Sequence, residues 1–164
     1  MPFLRRLASA RPGAIEWFGG ALLWGAAMAA AAWCGFALQQ SIPVTRNDEL
    51  MLLYFAGGAL AWLAVLPKIR FCALARRPET RFAAALLFLA LGTVAMTALL
   101  FALQYRLFYA RWHEPFGTRI WLYQFAFTSA GAVYQFAVLG IRPLLPFGGP
   151  LLLTASLLLA RRYR

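Results

Sequence analysis

Acidic side chains are almost missing from this chain, with five among 164 residues against fifteen arginines and a single lysine. Histidine occurs once, at His113, and cysteine twice, at Cys34 and Cys72, with no CxxC spacing. One histidine and two separated thiols cannot assemble a haem or zinc site, so no metal and no cofactor is expected. The cysteines fall at well-separated levels of the apolar runs, which argues against a disulfide. Proline is missing from the interior of every long apolar run; the nine stand at 2, 12, 43, 67, 78, 115, 143, 146 and 150. Because proline breaks the helical hydrogen-bond ladder, the intervals between them read as uninterrupted helices. No ionisable residue interrupts these runs either, which disfavours autonomous ion-driven transport.

What remains is 63% apolar and 16% aromatic, with a net charge of +11. Such a share of apolar residues is far above that of a soluble domain. A basic chain can bind nucleic acid, but here the cations lie between apolar runs long enough to cross a bilayer, so topology explains them and no nucleic-acid partner is expected.

A span needs about 20 apolar residues for a hydrocarbon core of about 30 Å. Four runs qualify, at approximately 17–39, 49–66, 82–103 and 119–140, and the expected fold is an all-α, polytopic four-transmembrane-helix bundle forming one membrane domain. The stretch 150–161 alone is too short and reads as a C-terminal interfacial helix. With four spans and the N-terminus inside, twelve cations (Arg5, Arg6, Arg11, Lys68, Arg70, Arg76, Arg77, Arg81, Arg142, Arg161, Arg162, Arg164) face the cytoplasm and four (Arg46, Arg106, Arg111, Arg119) face outward. A fifth span through Pro143–Ala160 reduces this to nine against seven. The positive-inside rule favours four spans with both termini cytoplasmic. On this reading GIRPLLPFGGP (140–150) is an exit turn on the cytoplasmic side. The basic N-terminus and first run read as a retained signal-anchor. Trp17 and Phe18 at one end, and Tyr105, Phe108, Tyr109, Trp112, Phe116 and Trp121 at the other, form aromatic belts.

Polar residues recur at helical spacing in the last two runs: Thr93, Thr97 and Gln104 in one, Gln124, Thr128, Gly131 and Gln135 in the other. Antiparallel packing would level Gln104 with Gln124, Thr97 with Thr128 and Thr93 with Gln135. The seam is expected to be either a line of interhelical hydrogen bonds or a groove for a polar head group. Ala21, Gly25 and Ala29, and likewise Gly57 and Ala61, are small residues four apart that permit close helix approach, most simply within the bundle.

The loop YRLFYARWHEPFGTRIW (105–121) sets Arg106, Arg111, His113, Glu114 and Arg119 among aromatic residues. Arginine forks suit phosphate or carboxylate, while an interfacial helix snorkelling its arginines to lipid phosphates explains the same pattern. His113 and Glu114 are adjacent and therefore do not face each other on a helix. No serine, cysteine or second carboxylate accompanies them, so catalysis is not expected. Asn47, Asp48 and Glu49 open the second run as helix-capping acids would, and Glu16 opens the first within reach of Arg11.

The stretch "LRRL…IEW…RNDELMLLYFAGGALAW", over roughly residues 4–62, loosely resembles the small membrane subunit of TRAP transporters, in which an acidic pair opens the second span before a glycine-containing run. Lys68-Ile69-Arg70 departs from the histidine-containing stretch of that family, and the run before "RPLLPFGG" has no counterpart there. The basic ends "PKIRF" and "ARRYR" look like those of GtrA-like polyprenyl-sugar flippases, without that family's asparagine-bearing helix ends. Both resemblances imply a small helper protein of the inner membrane. The expected function is a non-enzymatic accessory or scaffold subunit of a larger inner-membrane assembly for transport or envelope biogenesis, in contact with membrane lipids and a larger partner or further copies of itself. The rival is a translocator of a lipid-linked anionic substrate, with Arg106, Arg111 and Arg119 on the phosphate and Gln124, Thr128 and Gln135 on the polar head. The arginine and alanine richness suits a bacterial genome.

Overall fold

The computed structural model describes residues 10–39, 47–74 and 76–163, with the Asn47 side chain excepted. The basic start of the signal-anchor (Arg5 and Arg6), the capping role of Asn47, and Arg46 and Arg164 lie outside the described residues. Among those described, every regular element is helical. Helix α1 is Gly20–Leu38, entered through a π turn at Ile15–Gly19. It is followed by α2 (Asn47–Ala73) and α3 (Pro78–Tyr109). After a 3-10 turn at Ala110–Trp112 comes α4 (Arg119–Gln135), which ends in a π turn at Phe136–Gly140. A 3-10 turn at Arg142–Leu144 then leads into α5 (Leu145–Arg162). Four stretches are long and apolar enough to cross a membrane, Ile15–Leu38, Asp48–Ala73, Pro78–Trp112 and Arg119–Arg162. They suggest a multi-pass membrane protein.

Helix α2 does not stop at Pro67 but continues to Ala73. The missing proline N–H leaves the carbonyl of Leu63, one turn earlier, without its helical donor. The indole N–H of Trp17 donates to that carbonyl at 2.9 Å, so the gap in the ladder becomes a tie between α1 and α2. Trp62 answers from α2, its indole donating to the Glu16 carbonyl inside the first π turn at 3.2 Å.

The last third departs from the expected path. The four helices that pack side by side in a ring are α1, α2, α3 and α5, with α5 seated between α1 and α3. Helix α4 packs on α3 and stays outside the ring. Two contacts fix the start of α5 at the end of the bundle where α1 finishes and α2 begins. The Tyr54 hydroxyl donates to the Gly140 carbonyl at 2.6 Å. A Cβ on Gly35 would stand 1.9 Å from the Pro143 carbonyl oxygen, so only glycine lets the turn seat there. The far end of α5 is fixed equally firmly, since the Tyr163 hydroxyl donates to Glu16 Oε1 at 2.7 Å. A helix of 18 residues is about 27 Å long, and α5 therefore runs the length of α1 in the opposite direction. The expected fourth span, 119–140, is a helix that begins and ends near the same end of the bundle. The expected interfacial stretch, 150–161, belongs to the helix that returns. GIRPLLPFGGP is thus an entry turn into α5 rather than an exit from α4, and Arg142 lies at the end opposite to the one expected. Periodicity and length could not separate two adjacent apolar helices here; the packing of Gly35 and Tyr54 does.

The ring encloses Trp24, Met28, Trp62, Leu66 and Leu89, all buried. At its centre the Trp24 indole donates to Thr93 Oγ1 at 3.0 Å, and the Thr97 hydroxyl donates to the Thr93 carbonyl at 2.7 Å. Gly25 and Gly57 pack against Phe55 and Thr97, so these small residues serve the bundle's own interfaces. One end of the ring carries Arg11, Lys68, Arg70, Arg76, Arg77, Arg81, Arg161 and Arg162 and is called the basic end below. The other is the aromatic end.

Candidate functional site

The aromatic end is built by the last turns of α3, the following turn and α4. Gly117 has φ +90°, a conformation that suits glycine, and reverses the chain. Thr118, extended at φ −76° and ψ 157°, then caps α4 by accepting from the Trp121 N–H at 3.1 Å. The reversal folds the aromatic residues into a layer. Tyr105 and Tyr109 have ring centroids 4.4 Å apart, Phe116 and Trp121 meet at 4.5 Å, and Trp121 stacks on Phe125 at 5.4 Å.

The arginines lie within this layer. The guanidinium of Arg106 is 4.2 Å from the Phe125 ring centre and 5.6 Å from that of Trp121. Arg111 sits 4.7 Å from Trp112 and 5.0 Å from Phe108, and its Nε–H donates to the Phe108 carbonyl at 3.2 Å. Arg119 is exposed as the first residue of α4. His113 is half-buried and its backbone N–H donates to the Ala110 carbonyl at 3.2 Å. Its neighbour Glu114 donates its backbone N–H to Gln124 Oε1 at 2.9 Å. Each cation over a ring is worth about 0.5–1 kcal/mol when exposed and more when desolvated. The layer brings Arg106, Gln124 and the turn together, while Arg111 sits at its other side with Phe108 and Trp112, which join it through Tyr109.

The expected polar seam between Thr93, Thr97, Gln104 and the α4 residues does not form. Thr93 and Thr97 face Trp24 and Gly57 inside the ring. The Thr128 hydroxyl donates to its own helix at the Gln124 carbonyl, 2.6 Å away. Gln135 comes to the side chain of Tyr105 rather than to Thr93, because α4 leans on the last turns of α3 instead of descending beside it. Gly131 has open space around it. A small cleft of about 330 Å³ between the start of α2 and the end of α3 is lined by Glu49, Leu50, Gln104, Tyr105, Phe108 and Tyr109.

A second constellation lies at the basic end. Glu16, only 9% exposed at its side chain, receives Arg70 Nη1 at 2.5 Å and the Tyr163 hydroxyl at 2.7 Å, with Arg162 Nε at 3.7 Å. Arg70 also lies 5.2 Å from the Tyr163 ring centre. Glu16 therefore pairs with these residues rather than with Arg11. Burial, and then the Glu16 carboxylate, push the Tyr163 hydroxyl above the usual tyrosine range. Sequence reasoning passed over Arg70, Arg162 and Tyr163. The available signal was Glu16 itself, because a carboxylate at the mouth of an apolar run needs a cationic partner. Among the described residues no group of histidine, cysteine, aspartate and glutamate gathers to hold a metal ion, and Cys34 and Cys72 are both free thiols.

Beside this clasp, Arg11, Trp17, Lys68, Phe71, Cys72 and Phe88 border a groove of about 790 Å³. The chain matches no protein-family model, no curated protein and no solved structure, so neither likeness drawn from its residues is carried by a family match.

Proposed function

We propose that the protein is a small, non-enzymatic accessory subunit of a larger assembly in a bacterial inner membrane, with its basic end in the cytoplasm and α4 as the partner-binding element. One observation carries this reading: α4 packs on α3 and leaves a long face open. Phe127 is 74% exposed, Tyr134 68% and Tyr123 65%, and Gln135 is exposed beside them. Lipid tails cover Phe127 well, but they offer no hydrogen bond to the two phenols. A partner's helix offers both apolar contact and polar partners.

The orientation follows from the concentration of cations at the basic end, which the positive-inside rule assigns to the cytoplasm. The rival, movement of a lipid-linked anion, draws less support. Arg106 and Arg111 are engaged with aromatic rings, and the middle of the ring is filled by Trp24, Trp62, Leu66 and Leu89.

The test is photocrosslinking in intact cells from a reactive residue placed at Phe127 or at Tyr134, with Leu153 on the exposed face of α5 as the reference position. A defined adduct with a larger membrane protein from the α4 positions alone supports the proposal. An adduct between two copies of the chain replaces the accessory role with self-assembly. Equal, diffuse lipid adducts from all three positions overturn it. Replacing Arg111 and Arg119 by glutamine leaves the adduct intact on this reading.

A further inference from the structure

We infer that the groove at the basic end is a binding site for one anionic phospholipid, its phosphate held between Arg11 and Lys68 and an acyl chain lying over Trp17 and Phe88. Chemistry inside the groove is graded. Its mouth carries two exposed cations, and its walls are indole, phenyl and proline surface from the start of α1, the end of α2 and the first turns of α3. A volume of about 790 Å³ lies in the range of sites that hold a small ligand or one hydrocarbon chain.

The cations are available to a ligand for a specific reason. Glu16, the acid nearest to Arg11 in the chain, is already held by Arg70, Arg162 and Tyr163. Among the described residues, neither Arg11 nor Lys68 forms an ion pair. Two unneutralised cations above an apolar floor match an amphiphile with an anionic head and not a zwitterionic one, whose choline would be repelled. An acyl chain covers the apolar walls of the groove, which free phosphate at the same cations would leave bare. Pro67 helps shape the wall, since it brings no N–H into the groove, and its vacated Leu63 carbonyl is turned to Trp17.

The inference rests on the chain's residence in a bilayer but not on α4 having a partner. Cys72 lines the groove and provides a native reporter. Cys34 lies toward the opposite end of α1 and is replaced by alanine to leave one thiol. The full-length chain is placed in nanodiscs of phosphatidylcholine, alone or with phosphatidylglycerol, and the rate of Cys72 alkylation by a neutral maleimide is measured. Phosphatidylglycerol is expected to slow it at least about fivefold, the protection given by a ligand several-fold above its dissociation constant. R11Q combined with K68Q is expected to abolish the protection while thermal unfolding stays within a few degrees. A chain carrying only Cys34, through C72A, reports any general effect of surface charge and is expected to react equally in both discs.

Equal Cys72 rates in the two discs, or protection that survives R11Q/K68Q, overturn the site. Protection by inorganic phosphate in phosphatidylcholine discs as strong as that by phosphatidylglycerol overturns the lipid assignment and leaves an anion site. Failure of the chain to enter nanodiscs at all counts instead against its residence in a membrane. Native mass spectrometry of the unmodified chain provides a second readout: one retained phosphatidylglycerol is expected, and its loss in R11Q/K68Q.

Discussion

Trp17 is the residue on which the passage of α2 through Pro67 depends, because its indole supplies the donor that the proline cannot. Trp17→Phe keeps the ring and removes the N–H, leaving the Leu63 carbonyl without that partner. We expect a loss of about 1–3 kcal/mol, the cost of an unsatisfied buried polar group, read as a lower unfolding midpoint in detergent. Pro67→Ala returns a backbone N–H to the ladder, so Trp17→Phe should cost markedly less in that background. Equal costs in both backgrounds would show that the indole acts through packing alone. Tyr163 gives a second residue-scale prediction. Its hydroxyl is pushed up, first by burial and then by Glu16, so the neutral phenol is the form that the fold favours. The stabilisation it provides is therefore complete below the ordinary tyrosine value of about 10 and is lost as pH rises beyond it. A melting series from pH 8 to 11 should fall more steeply for the wild type than for Tyr163→Phe, and the variant should already be weaker at pH 8 by about 1 kcal/mol for the missing hydrogen bond. Parallel curves would mean that the fold does not favour the neutral phenol.

At the scale of single elements, α5 depends on the absence of one carbon atom. Gly35→Ala would set a Cβ 1.9 Å from the Pro143 carbonyl oxygen, a backbone atom that cannot step aside without moving the turn. The expected cost is several kcal/mol, or displacement of α5, because overpacking of one or two methylenes already costs about 1–3 kcal/mol. Gly131→Ala in α4 meets open space and should be neutral or should gain up to about 1 kcal/mol from helix propensity. Unfolding in sodium dodecyl sulfate, compared for the two variants, checks the contrast. The same elements show where the sequence could and could not be read. Proline spacing and apolar length placed the long runs of α1, α2 and α3, although α2 continues through Pro67 to Ala73 and α3 extends at least a turn beyond 82–103 at each end. Helices α4 and α5 are both apolar, and a proline–glycine turn separates them. Their hydropathy carries no sign of which one crosses, and that choice is made by Gly35, Tyr54 and Glu16, residues far away in the chain. The aromatic surroundings of Arg106 and Arg111 were legible in the sequence, because the rings they meet are close to them in the chain or in the next helix. The polar seam was not, because a 3.6-residue period identifies a helix face without identifying what that face meets.

For the whole molecule, the ring α1–α2–α3–α5 with α4 outside it changes the position of one cation, Arg142, and leaves the charge bias intact. If the basic end is cytoplasmic, a single cysteine at position 142 in a chain lacking Cys34 and Cys72 should react from outside the cell with a membrane-impermeant maleimide, as Cys34 should in the native chain. A cysteine at position 161 should react only after the membrane is opened. Labelling of position 142 from the inside alone would restore 119–140 as the crossing helix. The clasp between Glu16 and Tyr163 also bears on how the chain is made. Those two residues are separated by 147 positions, while the α1–α2 and α2–α3 pairs are joined through short connections. Adjacent pairs can form as soon as each helix enters the bilayer, whereas closing the ring must wait for α5, which is joined to α3 only through the longer segment that carries α4. During synthesis the side of α1 and α3 that receives α5 must therefore remain uncovered until the ribosome has passed Tyr163. For that interval the nascent protein presents an open trough of apolar surface, and a chaperone or insertase that shields it would act on this protein late, at the stage when α5 emerges.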